Sequence, residues 1–387
     1  KYISFWGNSG PITNMLASKP TPVPMTVVSV ETPKTGPYRP YEGWEQSGPA
    51  LTDILLEYSS KQMLLGSGKH KTLESSKKAV AWARKTWRTM IKAFVGTDVA
   101  VFATTTEKAD QIYFRAARAA GVATIVLEFS NVEFENVRGA DIDVAVVPSY
   151  DMYSRVLKSN PFARPIDGTT EGSHLCLINP PLVFARAPSP TQAAAGGPRT
   201  VGYVGRLSSE KSVGVFLRMA ADLLKIDPNL RFSVVGDGKQ KRALKDLAFK
   251  TYRIKKDRIK FHGFVERPLL PSIMATLDVF VNPSAYQESF CLVNLEAMAA
   301  GVPVVAMALQ SGALDYFNTD NSLLVKDPAE LAPAVLRVLE DNTLRLAMVR
   351  AGLATSQQSR FEPGTVSKSY ERVFLRSDLS IETSEDL

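Results

Sequence analysis

DVFVNPSAYQESFCLVNLEAMAAGVPVVAM, residues 278–307, decides the fold. It opens on an apolar run, DVFVNPS, and passes through a polar turn into a helix that must stop before Gly301 and Pro303. It closes on a second apolar run, VPVVAM (302–307). Strands that are apolar throughout, rather than alternating, are buried on both faces, and a helix between them makes the pair parallel. The stretch also holds two carboxylates, Glu288 and Glu296, at the ends of a segment otherwise built for burial.

The same alternation extends outward. TVGYVG (200–205), a helix over 212–226, RFSVVG (231–236), a helix to Tyr252 and IKFHGFV (259–265) precede it. In the first half, MTVVSVE (25–31), VAVFATTT (99–106), ATIVLEF (123–129), DVAVVPS (143–149) and HLCLINPP (174–181) read as strands. Helices are expected over 72–94, over 107–120 and from Tyr150. Between the halves lies RAPSPTQAAAGGPR (186–199), a linker by composition. The expected organisation is a first domain over 1–185, the linker, a second domain over 200–364, and from 365 a C-terminal helix crossing back to the first domain, with a polar tail to 387. Two doubly wound, Rossmann-like parallel-sheet domains would face each other across a cleft at the carboxyl edges of their strands, where such folds bind ligands.

At 387 residues, 45% hydrophobic and 22% charged, the composition is globular, and no run of about 18 apolar residues could span a bilayer. Two cysteines, Cys176 and Cys291, make neither a disulfide framework nor a metal knuckle. No charged-then-apolar signal segment opens the sequence and residue 1 is Lys, so the expectation is a cytoplasmic protein, or one processed from a longer chain. The net charge of +7 is concentrated between Lys69 and Lys92, where eight Lys or Arg residues face one acid, Glu74, and interleave with Trp82, Trp87, Ile91 and Phe94. An amphipathic basic helix of this kind either lies on an anionic membrane surface or packs its apolar stripe inward. No nucleic-acid module accompanies it.

The spacing of Glu288 and Glu296 excludes a glycosidase pair. Were 288–296 one continuous helix, the two would stand about 12 Å apart along the axis and about 80° apart around it. The paired acids of a glycosidase lie roughly 5 to 9.5 Å apart. The spacing suits two grips on an elongated ligand, with the helix start between them offered to phosphate. Hydroxyls flanking a diphosphate describe a nucleotide sugar. Its charge requires cations, and GYVGRLSSEKS (202–212) supplies Arg206 and Lys211 in a strand-to-helix loop, able to neutralise a leaving diphosphate without a metal.

GYVGRLSSEKS, VVGDGK, FHGFV and DVFVNPSAYQESFCLVNLEAMAAGVPVV resemble, in order and spacing, the nucleotide-binding domain of the retaining glycosyltransferases of the GT-B fold, the family 4 type. The resemblance covers about residues 198–375, and more weakly 99–182. It implies a sugar transferase, for hexosyl transfer, from a nucleotide-diphosphate sugar to a hydroxyl acceptor, without metal or cofactor. Arg206 and Lys211 would hold the diphosphate, Gly205 would belong to the donor site beside them, and Gly263 to Val265 would line the base pocket. Glu296 would bind the ribose. Glu288 would hold the transferred sugar with the backbone of Ser289, Phe290, Cys291 and Leu292.

Three departures bear on this. Cys291 stands where that family usually has Gly. QSGALDY (310–316) replaces a Gly-Gly segment and leaves Asp315 as a shorter acid. No His follows the strand IVLEFSN, where Glu128 and Ser130 stand instead. A catalytically silent nucleotide-sugar-binding protein is therefore the alternative. Of the three histidines, His70, His174 and His262, the last sits on an apolar strand as a structural residue. FWGNSGP (5–11) and GDGK (236–239) read as turns at strand ends, and neither has the spacing of a dinucleotide-binding loop.

Overall fold

The computed structural model describes residues 2–6, 25–29, 88, 91–92, 94–103, 111–128, 142–159, 163–165, 173–183, 197–308 and 311–375. Most of the basic 69–92 stretch, Gly7–Pro11, Ser130 and most of the Pro- and Ala-rich linker lie outside them, as does the polar tail. The chain divides into two compact units, one of residues 1–179 with 366–387 and one of residues 180–365.

The first unit is built from β1 (Tyr2–Trp6), β2 (Met25–Ser29), β3 (Val99–Ala103), α1 (Gln111–Ala119), β4 (Thr124–Glu128), β5 (Val144–Val147), α2 (Tyr150–Ser159), β6 (Ala163–Pro165) and β7 (Ser173–Leu177). Its seven strands form a parallel sheet in the order β2-β1-β3-β4-β5-β7-β6. Successive residues of β3 serve opposite faces, as the pleat requires. Ala100 and Phe102 pack with Phe114 and Met152 of the covering helices, while Val99 and Val101 pack with Tyr370 and Phe374 from the far end of the chain.

The second unit contains β8 (Thr200–Val204), α3 (Val213–Ile226), β9 (Arg231–Val235), α4 (Lys241–Asp246), β10 (Ile259–Gly263), α5 (Leu270–Met274), β11 (Val279–Asn282), α6 (Leu292–Ala299), β12 (Val304–Met307), β13 (Ser322–Val325), α7 (Leu331–Glu340) and α8 (Asn342–Ser356). The last helix, α9 (Pro363–Leu375), carries Val366, Tyr370, Val373 and Phe374 into the core of the first unit. The six strands of the second sheet are parallel in the order β10-β9-β8-β11-β12-β13. That order runs one way from β8 to β10 and the other way from β11 to β13. The connections leaving the carboxyl ends of β8 and β11 therefore diverge to opposite faces and leave a crevice between them. Val201, Tyr203, Val279 and Val281 serve one core, and Val204, Phe280, Val304 and Ala306 the other, so the apolar runs are continuous because both faces are covered.

Candidate functional site

The crevice at the β8 and β11 ends receives most of the residues singled out in the sequence. After β8 the chain turns through Gly205 and Arg206 into a short 3₁₀ turn, Ser209–Lys211. Gly205 is required by packing: a Cβ there would lie 2.6 Å from the hydroxyl of Tyr203, which itself donates to the carbonyl of Arg206 at 2.9 Å. Gly236, in the loop after β9, has φ +135°, and a Cβ there would strike the carbonyl oxygen of Gly205 at 1.9 Å. The GDGK turn thus serves as the floor on which the 205–207 loop rests, with the Leu207 amide donating to the Asp237 carbonyl at 2.9 Å.

After β11, Ser284 and Glu288 enter the same crevice. The Lys211 ammonium donates to Glu288 Oε1, and Ser284 Oγ donates to the same oxygen at 3.3 Å. The structure thus joins a diphosphate candidate directly to the sugar candidate. Ser284, which the sequence reading did not single out, is fully buried and also meets the Glu210 carbonyl at 3.1 Å, stitching the two loops together. Arg206 behaves differently. Its side chain is 57% exposed and its nearest acid is Glu210, at 3.8 Å. Glu210 is held below the usual carboxylate range, first by the Ser208 hydroxyl that donates to it and further by Arg206 and Lys211.

Glu288 is not on the helix. The continuous helix over 288–296 is broken at Cys291, whose φ of +62° and ψ of +58° put it in the left-handed region, and α6 begins only at Leu292. A residue with a Cβ in that conformation costs about 1–2 kcal/mol. Here lies a physical reason for glycine at such a position: the backbone turns left-handed to enter the helix. The cysteine is fixed by its surroundings. Asn282 Nδ2 lies 3.0 Å from its sulfur and donates to Asn294 Oδ1 at 2.8 Å, while Tyr316 donates to the carbonyls of Phe290 and Cys291 at 3.0 and 2.8 Å. Burial, and then the charge of Glu288, push the Cys291 thiol up to about 12, so it is a packed neutral group. Phe290 is buried against Tyr316 and Phe361, with ring centroids 5.1 and 5.9 Å away.

Gly312, in the segment QSGALDY, is a further residue the sequence did not single out. Its amide donates to the Glu288 carbonyl at 3.0 Å, and a Cβ on it would lie 2.1 Å from the Ser289 carbonyl oxygen. It presses on the turn that carries Glu288. Asp315, noted above as the shorter acid, ends the 3₁₀ turn Ser311–Asp315, and its carbonyl accepts from Arg360 at 3.1 Å.

Glu296 lies one turn into α6, with its side chain 7% exposed, and accepts from Arg267 Nη2 at 2.5 Å. Burial pushes its carboxyl upward and the Arg267 guanidinium opposes this. Arg267 was missed in the sequence; the available signal was that a buried glutamate needs a cation. Arg267 follows the loop that begins at Gly263, where φ is +77°, and in which Val265 packs on the α6 core. His262 on β10 meets Ser233 of β9 at 3.0 Å, and burial lowers its pKa. Among the described residues no group of three or more His, Cys, Asp or Glu side chains is placed to hold a metal ion, and no helix is long and apolar enough to cross a membrane.

Residues 198–341, which hold this whole arrangement, match the family model Glycosyl transferases group 1. The candidate site lies inside the segment that this family model matches. Among curated proteins, the 2-deoxystreptamine glucosyltransferase of Streptomyces kanamyceticus is 36% identical over 184 residues, which is 46% of this chain and 46% of that protein. Glycogen synthase of Mycobacterium tuberculosis is 33% identical over 207 residues, 52% of this chain and 49% of that protein. The alignments thus span about half the length of the curated relatives. Among solved structures, HepE of Anabaena, in complex with UDP and glucose, aligns with a TM-score of 0.68 at 18% identity over 97% of this chain and 99% of that one. Sucrose-phosphate synthase of Thermosynechococcus elongatus aligns with a TM-score of 0.68 at 17% identity over 97% and 100%. These likenesses show the fold, GT-B, with two parallel-sheet α/β units.

Proposed function

We propose that this protein is a glycosyltransferase that moves a sugar from a nucleotide-diphosphate sugar to a hydroxyl acceptor, keeping the anomeric configuration. One observation carries the reading: Lys211, Ser284 and Glu288 converge on one carboxylate oxygen at the β8–β11 crevice, inside the segment that matches the transferase family. A cation and a carboxylate in contact at such a crevice suit a ligand that is anionic at one end of a bond and hydroxylated at the other.

In this reading the donor lies along the second unit with its base at Gly263–Val265, its ribose at Glu296, its diphosphate at Gly205, Arg206 and Lys211, and its sugar at Glu288 and the 289–292 backbone. Lys211 turns from Glu288 to share its charge with the diphosphate, and the exposed Arg206 adds a second cation. The charge developing on the leaving diphosphate is then met by fixed cations, the type of stabilisation that usually dominates such steps. Glu288, released in part from Lys211, accepts from a sugar hydroxyl and orients the anomeric carbon. Retention follows from acceptor attack on the face from which the diphosphate departs, with no covalent bond to protein. HepE, of the same fold, holds UDP and glucose, so UDP-glucose is the first donor to try.

A silent nucleotide-sugar binder is the second reading, favoured by the Cβ and sulfur that Cys291 adds to the turn beside Glu288. The test is UDP release from UDP-sugars with a panel of sugar, lipid and small-molecule acceptors, alongside binding by calorimetry. Turnover that Lys211→Ala and Glu288→Ala both abolish, in folded protein, supports the transferase. Donor binding with no turnover on any acceptor supports the silent reading, and full activity in either variant overturns the site.

A further inference from the structure

Glu296 is buried in the first turns of α6, yet its expected task is to accept hydrogen bonds from a ribose diol. A protonated carboxyl spends one oxygen as a donor and is a poor acceptor for two hydroxyls, so the group serves this purpose only when charged. Burial works against the charge. Among the described residues, Arg267 is the charged side chain brought against this carboxylate, and it engages Oε1. Arg267 Nε is buried without a hydrogen-bond partner among the described residues, so the guanidinium gives up a donor to hold this position. It is set by its own backbone: Arg267 opens the 3₁₀ turn Arg267–Leu269, with Pro268 fixing the next residue, directly after the loop that starts at Gly263.

We infer that Arg267 is a positioning residue for the nucleoside, holding the Glu296 carboxylate as a charged, fixed acceptor whose second oxygen is presented to the ribose hydroxyls. The inference rests on the nucleotide-sugar reading above. It also ties two parts of the donor site together: the loop after β10, expected to line the base, and α6, expected to bind the ribose, are joined through this one pair. Ordering of either by a nucleotide orders the other.

The experiment is a double-mutant cycle read as nucleotide affinity by calorimetry, with UDP, ADP and GDP and their 2′-deoxy forms as probes. Arg267→Gln and Glu296→Gln each weaken the bound ribonucleotide by about tenfold or more, the weight of a charge-assisted hydrogen bond. The double variant binds no more weakly than Glu296→Gln, because Arg267 acts through Glu296. Arg267→Gln also loses the preference for ribose over deoxyribose, and as the pH is lowered its affinity begins to fall at a higher pH than that of the wild type, because the cation that opposes the burial of Glu296 is gone. Wild-type affinity and pH profile in Arg267→Gln, or losses that add in the double variant, overturn the inference. If Arg267→Gln does not fold by circular dichroism, Arg267→Lys carries the same test. It is expected to lose about threefold, since a lysine keeps the charge without the planar fork, and to lose nothing in the Glu296→Gln background. A wild-type protein that binds none of the probes sinks the nucleotide-sugar reading itself, which is a different result.

Discussion

Glu288 and Glu296 are eight positions apart in sequence and live in opposite kinds of structure. Glu288 stands on an irregular turn, with its carboxylate shared between a flexible lysine and a serine hydroxyl, and the turn is held from outside by Gly312 and Tyr316. Glu296 stands on a helix, is nearly enclosed, and has a rigid planar cation for its partner. A lysine is a point charge on a four-carbon stem that can turn to another anion, while a guanidinium is a planar fork whose geometry is set before it meets a carboxylate. The first arrangement suits a group whose contacts must change as a bond breaks. The second suits one that grips a part of the ligand that does not react.

That contrast can be broken most directly by kinetics. Glu288→Gln is expected to lower turnover by about 100-fold or more while nucleotide affinity changes little, because what it loses is made at the reacting end. Glu296→Gln is expected to show the reverse, an affinity loss with turnover at saturation largely kept. Equal effects on both quantities in both variants would erase the distinction.

A smaller effect concerns the support of the Glu288 turn. Gly312→Ala forces a Cβ into the Ser289 carbonyl and is expected to cost about 1–3 kcal/mol in chemical denaturation, with activity falling alongside. Unchanged stability would mean the turn shifts freely, contrary to its hydrogen bonds. The smallest effect is the pH signature of Glu296. Its folded pKa is raised above the ordinary value of 4.5, so the native state holds this proton to higher pH than the unfolded chain does. Its contribution to stability is present below 4.5 and is lost as pH rises through the folded pKa. Melting temperatures of wild type and Glu296→Gln should therefore diverge from 4.5 towards neutral, the variant gaining on the wild type. A constant difference would place the carboxyl at its ordinary pKa.

The fold was legible because both sheets are covered on both faces, which writes each strand as an unbroken apolar run. β8, β9, β11 and β12 fall inside the segments read as strands, and α6 stops at Gly301, where φ is +71°. The short β6 and the β13 run, interrupted by half-exposed residues, carried no such signature. In the candidate site, Arg206, Lys211, Glu288 and Glu296 stood out by residue type and spacing. Their partners did not, because partnership is set by strand order: Arg267 is 29 residues from Glu296, and Lys211 is 77 from Glu288. The left-handed turn at Cys291 was hidden by the residue itself, since a cysteine does not advertise a positive φ as a glycine does.

The helix α9 has a consequence for how the molecule is made. Val99 and Val101 share a core with Tyr370 and Phe374, so the first unit has its two parts on either side of the whole second unit in the chain. Residues 180–365 are continuous and can close their own core as they leave the ribosome. The first unit, though its strands are synthesised earlier, takes part of its core from α9 at the far end of the chain. During translation the packing of Val99 and Val101 with Tyr370 and Phe374 can therefore form only after the whole of the second unit has been synthesised.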